Sequence, residues 1–198
     1  MIFLAKQYTK KLIHDTFINM LNEKPLKKIT VKELACACEI NRNAFYYYYS
    51  DLYELLSEIF EEELQRVITE FNETLSWEDS FKVATKFALA NKKAIYHVYD
   101  SMQQEELIRY IYNVSGNMME RYVNNRDKNV STSESDKALL VAFFQCALSG
   151  MVIRWIHSGM KEEPEEIIQR IGFLLDGTVE TALTRSATIN ELSNFLDI

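Results

Sequence analysis

Glycine and proline are nearly missing, with 5 and 2 in a chain of 198 residues. Sheet proteins turn often and need these residues to do it, so the scarcity excludes a strand-rich fold and points to an all-α one. Cysteine is equally thin. Cys36, Cys38 and Cys146 form an odd set, Cys36 and Cys38 stand too close together to bridge, and no His or further Cys lies near them at zinc spacing. All three read as small apolar fillers in a reducing cytosol. His14, His97 and His157 are scattered, so neither a metal site nor a cofactor is expected. The sequence contains no glycine-rich phosphate loop, no nucleophile elbow and no HExxH, which leaves nothing to support an enzyme. A secretory signal is not expected either, because the apolar opening, Met1 to Ala5, is too short for an h-region.

Long hydrophobic runs are also rare. The one that needs weighing is Ala138–Ile153, 16 residues interrupted by Gln145, Ser149 and Gly150 and closed by Arg154. A membrane-spanning helix wants roughly 20 apolar residues. A helix apolar all round can also lie between other helices, and this run is read as a buried interface helix in a protein without a membrane partner. Positive charge is in deficit, with 22 Lys and Arg against 29 Asp and Glu. The deficit is uneven. Residues 1–50 hold 8 basic against 4 acidic side chains, a balance of +4, and the remainder holds 14 against 25, a balance of −11. A basic head on an acidic body suits a protein that presents one end to phosphate.

What the chain does have is apolar content, 47% of its residues, enough for a sizeable core, and strong helical periodicity. A first helix is expected from about Gln7 to Asn22, ended by Pro25. Thr30 is a good N-cap, and Glu33 three residues on completes a capping box for a short helix from Val31 to about Ala37. Asn41 caps a third, through about Tyr48, and Ser50-Asp51 opens a long fourth carrying Leu52 to Phe71. Further helices are expected over residues 78–90, 92–100, 104–126, 134–158 and 164–186, about nine in all. The polar stretch Asn124–Ser135 is the clearest loop, Gly159 stops a helix, and the tail after Ser186 is expected to fray.

Two short helices separated by about four residues and followed by a long one make a helix-turn-helix. Leu34, Ala35, Ile40, Phe45 and Tyr49 fall where such a unit is buried. Phe45 and Tyr49 are four apart and share one face of the third helix, which leaves Arg42, Asn43, Tyr46 and Tyr47 outward. Arg can grip guanine, and Asn adenine, with paired hydrogen bonds. Tyrosine hydroxyls reach phosphates, and Thr30 adds a hydroxyl at a helix N-terminus. Four tyrosines in a row, Tyr46 to Tyr49, make sense if their rings are shared between core and DNA backbone. The candidate DNA-contacting residues are Thr30, Asn41, Arg42, Asn43, Tyr46, Tyr47 and Tyr48.

The segment from Ala35 through Ile40, Asn41, Phe45, Tyr46 and Tyr49 to Leu55 and Leu56, with Ile29–Ala35 before it, resembles the helix-turn-helix of the TetR family over residues 8–60. Two residues depart from the pattern. Glu39 stands where the turn usually has Gly, and Leu52 where many members place a phosphate-binding Lys. Segment 147–171 is similar to a C-terminal subgroup with the phrase SG…W…GM…PEE. The resemblance implies a DNA-binding head over residues 1–50 and a helical effector-binding and dimerisation body over 51–198. It implies a homodimer formed through the last two long helices, where Ser149 and Gly150 permit a close crossing, and binding to a palindromic double-stranded operator. It also implies a cytoplasmic regulator, by the family's usual mode a repressor, released by a small-molecule effector. Candidate pocket residues are Phe81, Phe87, Tyr96, Tyr99, Tyr110, Met118, Phe144 and Trp155, which with a few hydroxyls suit a hydrophobic or aromatic effector. The rival reading is a relative that has lost DNA binding and acts through a protein partner, which Glu39 and Leu52 favour.

Overall fold

The computed structural model describes residues 2–74, 76–101, 103–127 and 132–196, with side chains described from residue 7 to residue 189. Among these residues there are ten α-helices and no strand. They are α1 (Ile2–Glu23), α2 (Val31–Ala37), α3 (Arg42–Tyr48), α4 (Leu52–Thr74), α5 (Trp77–Ala90), α6 (Lys92–Tyr99), α7 (Gln104–Arg126), α8 (Glu134–His157), α9 (Pro164–Leu174) and α10 (Thr178–Leu196), with one 3-10 turn at Leu26–Lys28.

Local chemistry sets most of the boundaries. Thr30 and Glu33 form the reciprocal cap of α2, with the Glu33 amide donating to Thr30 Oγ1 at 3.2 Å and the Thr30 amide donating to the Glu33 carboxylate at 3.1 Å. Asn41 Oδ1 accepts from the Ala44 amide at 2.8 Å and opens α3. Asp51 Oδ1 accepts from the Tyr53 and Glu54 amides at 2.8 and 2.9 Å and opens α4. The Ser133 hydroxyl does the same for α8, accepting from the Asp136 amide at 3.1 Å. At the other end of α8, Gly159 turns left-handed (φ 92°), its amide donating to the Ile156 carbonyl and the Met160 amide to that of Trp155. That pair of bonds closes a Schellman motif.

The structure departs from the sequence reading at two places. The expected helix over 164–186 is two helices, because Gly177 (φ 70°) takes the left-handed conformation just past the end of α9. Helix α10 then continues to Leu196, past the expected fraying point. Residues 128–131 of the expected Asn124–Ser135 loop lie outside the described residues, and α7 runs to Arg126 at its start.

The chain divides into two compact units, one of Met1–Glu63 with Lys86–Tyr110 and one of Leu64–Thr85 with Ile111–Ile198. This division follows contacts and does not fall between residues 50 and 51. In the first unit α1 packs on α2 and α6. Its core holds Ile13, Phe17, Leu34, Phe45 and Leu55, all fully buried, each contributing roughly 1.5–3 kcal/mol. Asn22 on α1 accepts from the Ala94 amide at 3.1 Å and donates to Asn91 at 3.0 Å, capping α6 from another helix. In the second unit α8 packs on α10, over a core that includes Val67, Phe71, Met118, Val123, Ile156 and Leu183. Arg126 pairs with Glu180 at 3.1 Å, and Thr132 donates to the Leu183 carbonyl at 3.3 Å.

One reading of small residues needs correction. Of the three cysteines only Cys38 is buried, while Cys36 and Cys146 are exposed. Leu34 and Cys38, four apart, face inward, which turns Cys36 out. Burial pushes the Cys38 thiol above its ordinary pKa. On α8, Ser149 is buried, yet Gly150 faces open space, with nothing within 4 Å of an added Cβ.

Candidate nucleic-acid interface and pocket

Helix α3 is held from one side. Phe45 is fully buried, and the Tyr49 ring lies 5.7 Å from it, centroid to centroid. The Tyr49 hydroxyl shares a 2.8 Å hydrogen bond with His14 Nε2, and His14 Nδ1 lies 3.0 Å from a Glu62 oxygen. Glu58 completes the group, 3.4 Å from His14 Nε2 and paired with Lys10. Burial pushes the Glu58 carboxyl up, but the adjoining Lys10 ammonium and the Tyr49 hydroxyl outweigh it and hold it below its ordinary value. Burial likewise drives the Tyr49 hydroxyl well above its usual range. The end of α3 is therefore tied to α1 and α4 by a polar cluster inside the unit.

This cluster gives His14 partners on α4 and at the end of α3 that its place in the sequence does not reveal. The donor atoms of His14, Glu58 and Glu62 lie within 4.8 Å of one another, a spacing a cation could use. Lys10 and the Tyr49 hydroxyl engage two of those three groups directly.

The opposite face of α3 is open. Arg42 and Asn43 are exposed, as are Tyr46 at 54% and Tyr47 at 70%. Tyr48 is half-buried, and Tyr47 meets it edge-on at 5.0 Å. Asn41 is exposed too, but its side-chain oxygen is engaged as the α3 cap. Thr30 is exposed with its hydroxyl bonded to Glu33 at 3.1 Å, so a carboxylate already stands at the start of α2. Lys24, 3.1 Å from that carboxylate, and the Thr30 bonds hold Glu33 below its ordinary pKa. Lys27, Lys28 and Lys32 flank Thr30 in sequence and are exposed. They are absent from the residues singled out by pattern, although the +4 balance of the first fifty residues pointed to such side chains.

In the second unit a pocket of ≈ 130 Å³ opens between α5, α8 and α9. Phe81 and Trp155, both expected in a pocket, line it together with Trp77, Leu148, Pro164 and Ile168. Phe144 lines a separate recess of ≈ 50 Å³ in the same unit, and Phe87 a slot of ≈ 20 Å³ in the first unit. Tyr96, Tyr99, Tyr110 and Met118 line none of these three. Tyr110 stacks on Phe60 at 5.1 Å, and Met118 is fully buried. The structure thus brings two of the eight candidates to one pocket.

Residues 75–177, just over half of the chain, match the TetR-type family model described as a transcriptional regulator C-terminal region. The chain belongs to the TetR family of transcriptional regulators. The solved structure of the dihydroxyacetone kinase operon activator DhaS superposes with a TM-score of 0.75 at 18% identity, covering 87% of this chain and 97% of that one. At that identity the likeness speaks for the fold. No curated protein matches the chain.

The two departures from the TetR pattern have a structural form. Glu39 adopts φ 55° in the turn, with its amide donating to Cys36 and the Ile40 amide to Ala35, so the left-handed turn is made without glycine. Leu52 is half-buried at the start of α4, where Asp51 and Glu54 add two carboxylates and no cation. The TetR C-terminal phrase also gains a physical sense. Gly159 and Met160 make the turn after α8, Trp155 Nε1 donates to the Glu162 carbonyl at 2.9 Å, and Pro164 starts α9.

Proposed function

We propose that this regulator binds double-stranded DNA in a sequence-specific way, as a homodimer on a palindromic operator, and is a repressor released by a small-molecule effector. The observation that carries the reading is the division of α3. Phe45 and Tyr49 anchor it, while Arg42, Asn43, Tyr46 and Tyr47 are exposed. A helix so divided can enter a major groove with Arg42 and Asn43 at base edges and the tyrosines at phosphate and sugar. Lys27, Lys28 and Lys32 supply charge for the backbone beside it.

A single short helix reads only a few base pairs, so a dyad is needed to span an operator. Helix α8 supports that dyad. Among the described residues it is the one helix long and apolar enough to cross a membrane, and 28% of its most apolar window is buried within the chain. Leu139 and Phe143 are 69% and 65% exposed on it. With α10 it would form the interface between two copies, in the cytoplasm with the DNA. Repression follows the family's usual mode. The effector acts only by its differential affinity for the two states.

A second reading, control through a protein partner without DNA contact, is favoured by the carboxylates of Glu33, Asp51 and Glu54 at the starts of α2 and α4. A gel shift on the DNA upstream of the chain's own gene separates the two. Arg42→Ala is expected to weaken operator binding by roughly 1–3 kcal/mol and to relax preference at one position of each half-site. Wild-type affinity in that variant removes Arg42 from the interface, and no shift at any salt concentration favours the partner reading.

A further inference from the structure

The pocket between α5, α8 and α9 has a wall whose polar groups are already engaged. Thr85 Oγ1 donates to the Phe81 carbonyl at 3.0 Å, and Trp155 Nε1 donates to the Glu162 carbonyl at 2.9 Å. The rest of the buried lining is hydrocarbon and ring: Trp77, Phe81, Leu148 and Ile168. Its charged members, Arg154 and Glu162, are exposed and opposite in sign, so they give the pocket no net charge. A charged group moved from water against this buried wall finds no partner there to offset its lost hydration. The volume, ≈ 130 Å³, compares with the cavity of about 150 Å³ that takes up benzene in an apolar protein core.

We propose that this pocket binds an uncharged, single-ring apolar molecule, selected by shape and desolvation, with no hydrogen bond to the pocket wall. The proposal rests on the effector reading above only in calling that molecule the effector; occupancy of the pocket stands separately. It narrows the expectation of an effector met by hydroxyls, since the Thr85 hydroxyl faces its own helix.

The chain has two tryptophans, Trp77 and Trp155, and both line this pocket. Tryptophan emission of the full chain is therefore a direct reporter, and the probes are four molecules of one ring each: toluene, phenol, benzoate and benzylamine. Toluene is expected to change the emission saturably, and benzoate and benzylamine to bind at least tenfold more weakly. Thr85→Val is expected to keep toluene affinity within about twofold, and Ile168→Phe, with helical content checked by circular dichroism, to lower it at least tenfold by filling the space. No saturable change with toluene, or a charged probe that binds as tightly, overturns the proposal. Phenol is expected to bind no more tightly than toluene; tighter phenol binding that Thr85→Val abolishes overturns the claim that the wall offers no hydrogen bond. Operator affinity measured in saturating toluene is a separate arm. If the emission saturates while operator affinity is unchanged, the pocket assignment stands and the effector reading fails.

Discussion

Glu39 pays a conformational cost that the fold does not require of it. Its φ of 55° lies in the left-handed region, where a side chain with a Cβ is disfavoured by about 1–2 kcal/mol and glycine is not. Glu39→Gly is therefore expected to raise stability by about 0.5–1 kcal/mol after glycine's own entropy is counted, read as a higher midpoint in urea with an unchanged slope. A lower midpoint would mean that the glutamate makes a compensating contact. The acidic groups of the head act through pH. Glu33 and Glu58 are both held below their ordinary pKa in the folded chain, Glu33 chiefly by Lys24 and Glu58 by Lys10 against an opposing burial effect. A carboxyl depressed on folding stabilises above its unfolded pKa and ceases to do so as pH falls through the folded one. Stability should be level above about pH 5 and fall through and below the ordinary glutamate value of ~4.3. In Lys10→Met the Glu58 contribution should shrink, which urea titrations from pH 3 to pH 7 would detect. At this scale the caps were legible because a cap is local: Thr30, Glu33 and Asn41 each act within three residues. The His14 cluster was not legible, since its partners lie up to 48 positions away and periodicity says nothing about which helices meet.

Among the helices, α2, α3 and α7 follow from the sequence almost to the residue, and at α2 and α3 the hydrophobic period and the cap agree. The missed break between α9 and α10 has a clear cause. The apolar pattern continues through Phe173, Leu174 and Leu175, and Gly177 inside such a run reads as a tolerated glycine until its φ of 70° is known. The same limit applies to the pocket. Aromatic residues at helical spacing line cores and cavities alike, so Met118 and Tyr110 were as good candidates as Trp155 before the packing was known. Helix α8 shows the converse. Its apolar character was plain, but not that Leu139 and Phe143 would be left uncovered by their own chain. Leu139→Glu with Phe143→Glu should cost the single chain within about 0.5 kcal/mol, as exposed substitutions do, while moving the species on gel filtration from dimer to monomer size. An unmoved peak would take this face out of the proposed interface.

Over the whole molecule, the reading from sequence and the one from structure meet on fold class and family. The contrast of +4 against −11 was drawn at residue 50, whereas contacts group Lys86–Tyr110 with the head. Which distant segment joins which core is decided by long-range contacts such as Asn22 with Ala94, and no local pattern encodes them. Charge, by contrast, needs no contacts to act. In the proposed complex a basic end on an acidic chain would turn toward a duplex before touching it, and added salt would erase that guidance.

Gly150 gives the quaternary question a gauge of its own. An exposed helical position with nothing within 4 Å of a methyl group should welcome alanine, for a gain of about 1 kcal/mol in helix propensity. That gain holds for a chain standing alone. Where a second backbone presses against α8 at this point, the same methyl wedges the two apart, so one added carbon atom strengthens the solitary fold and loosens the pair.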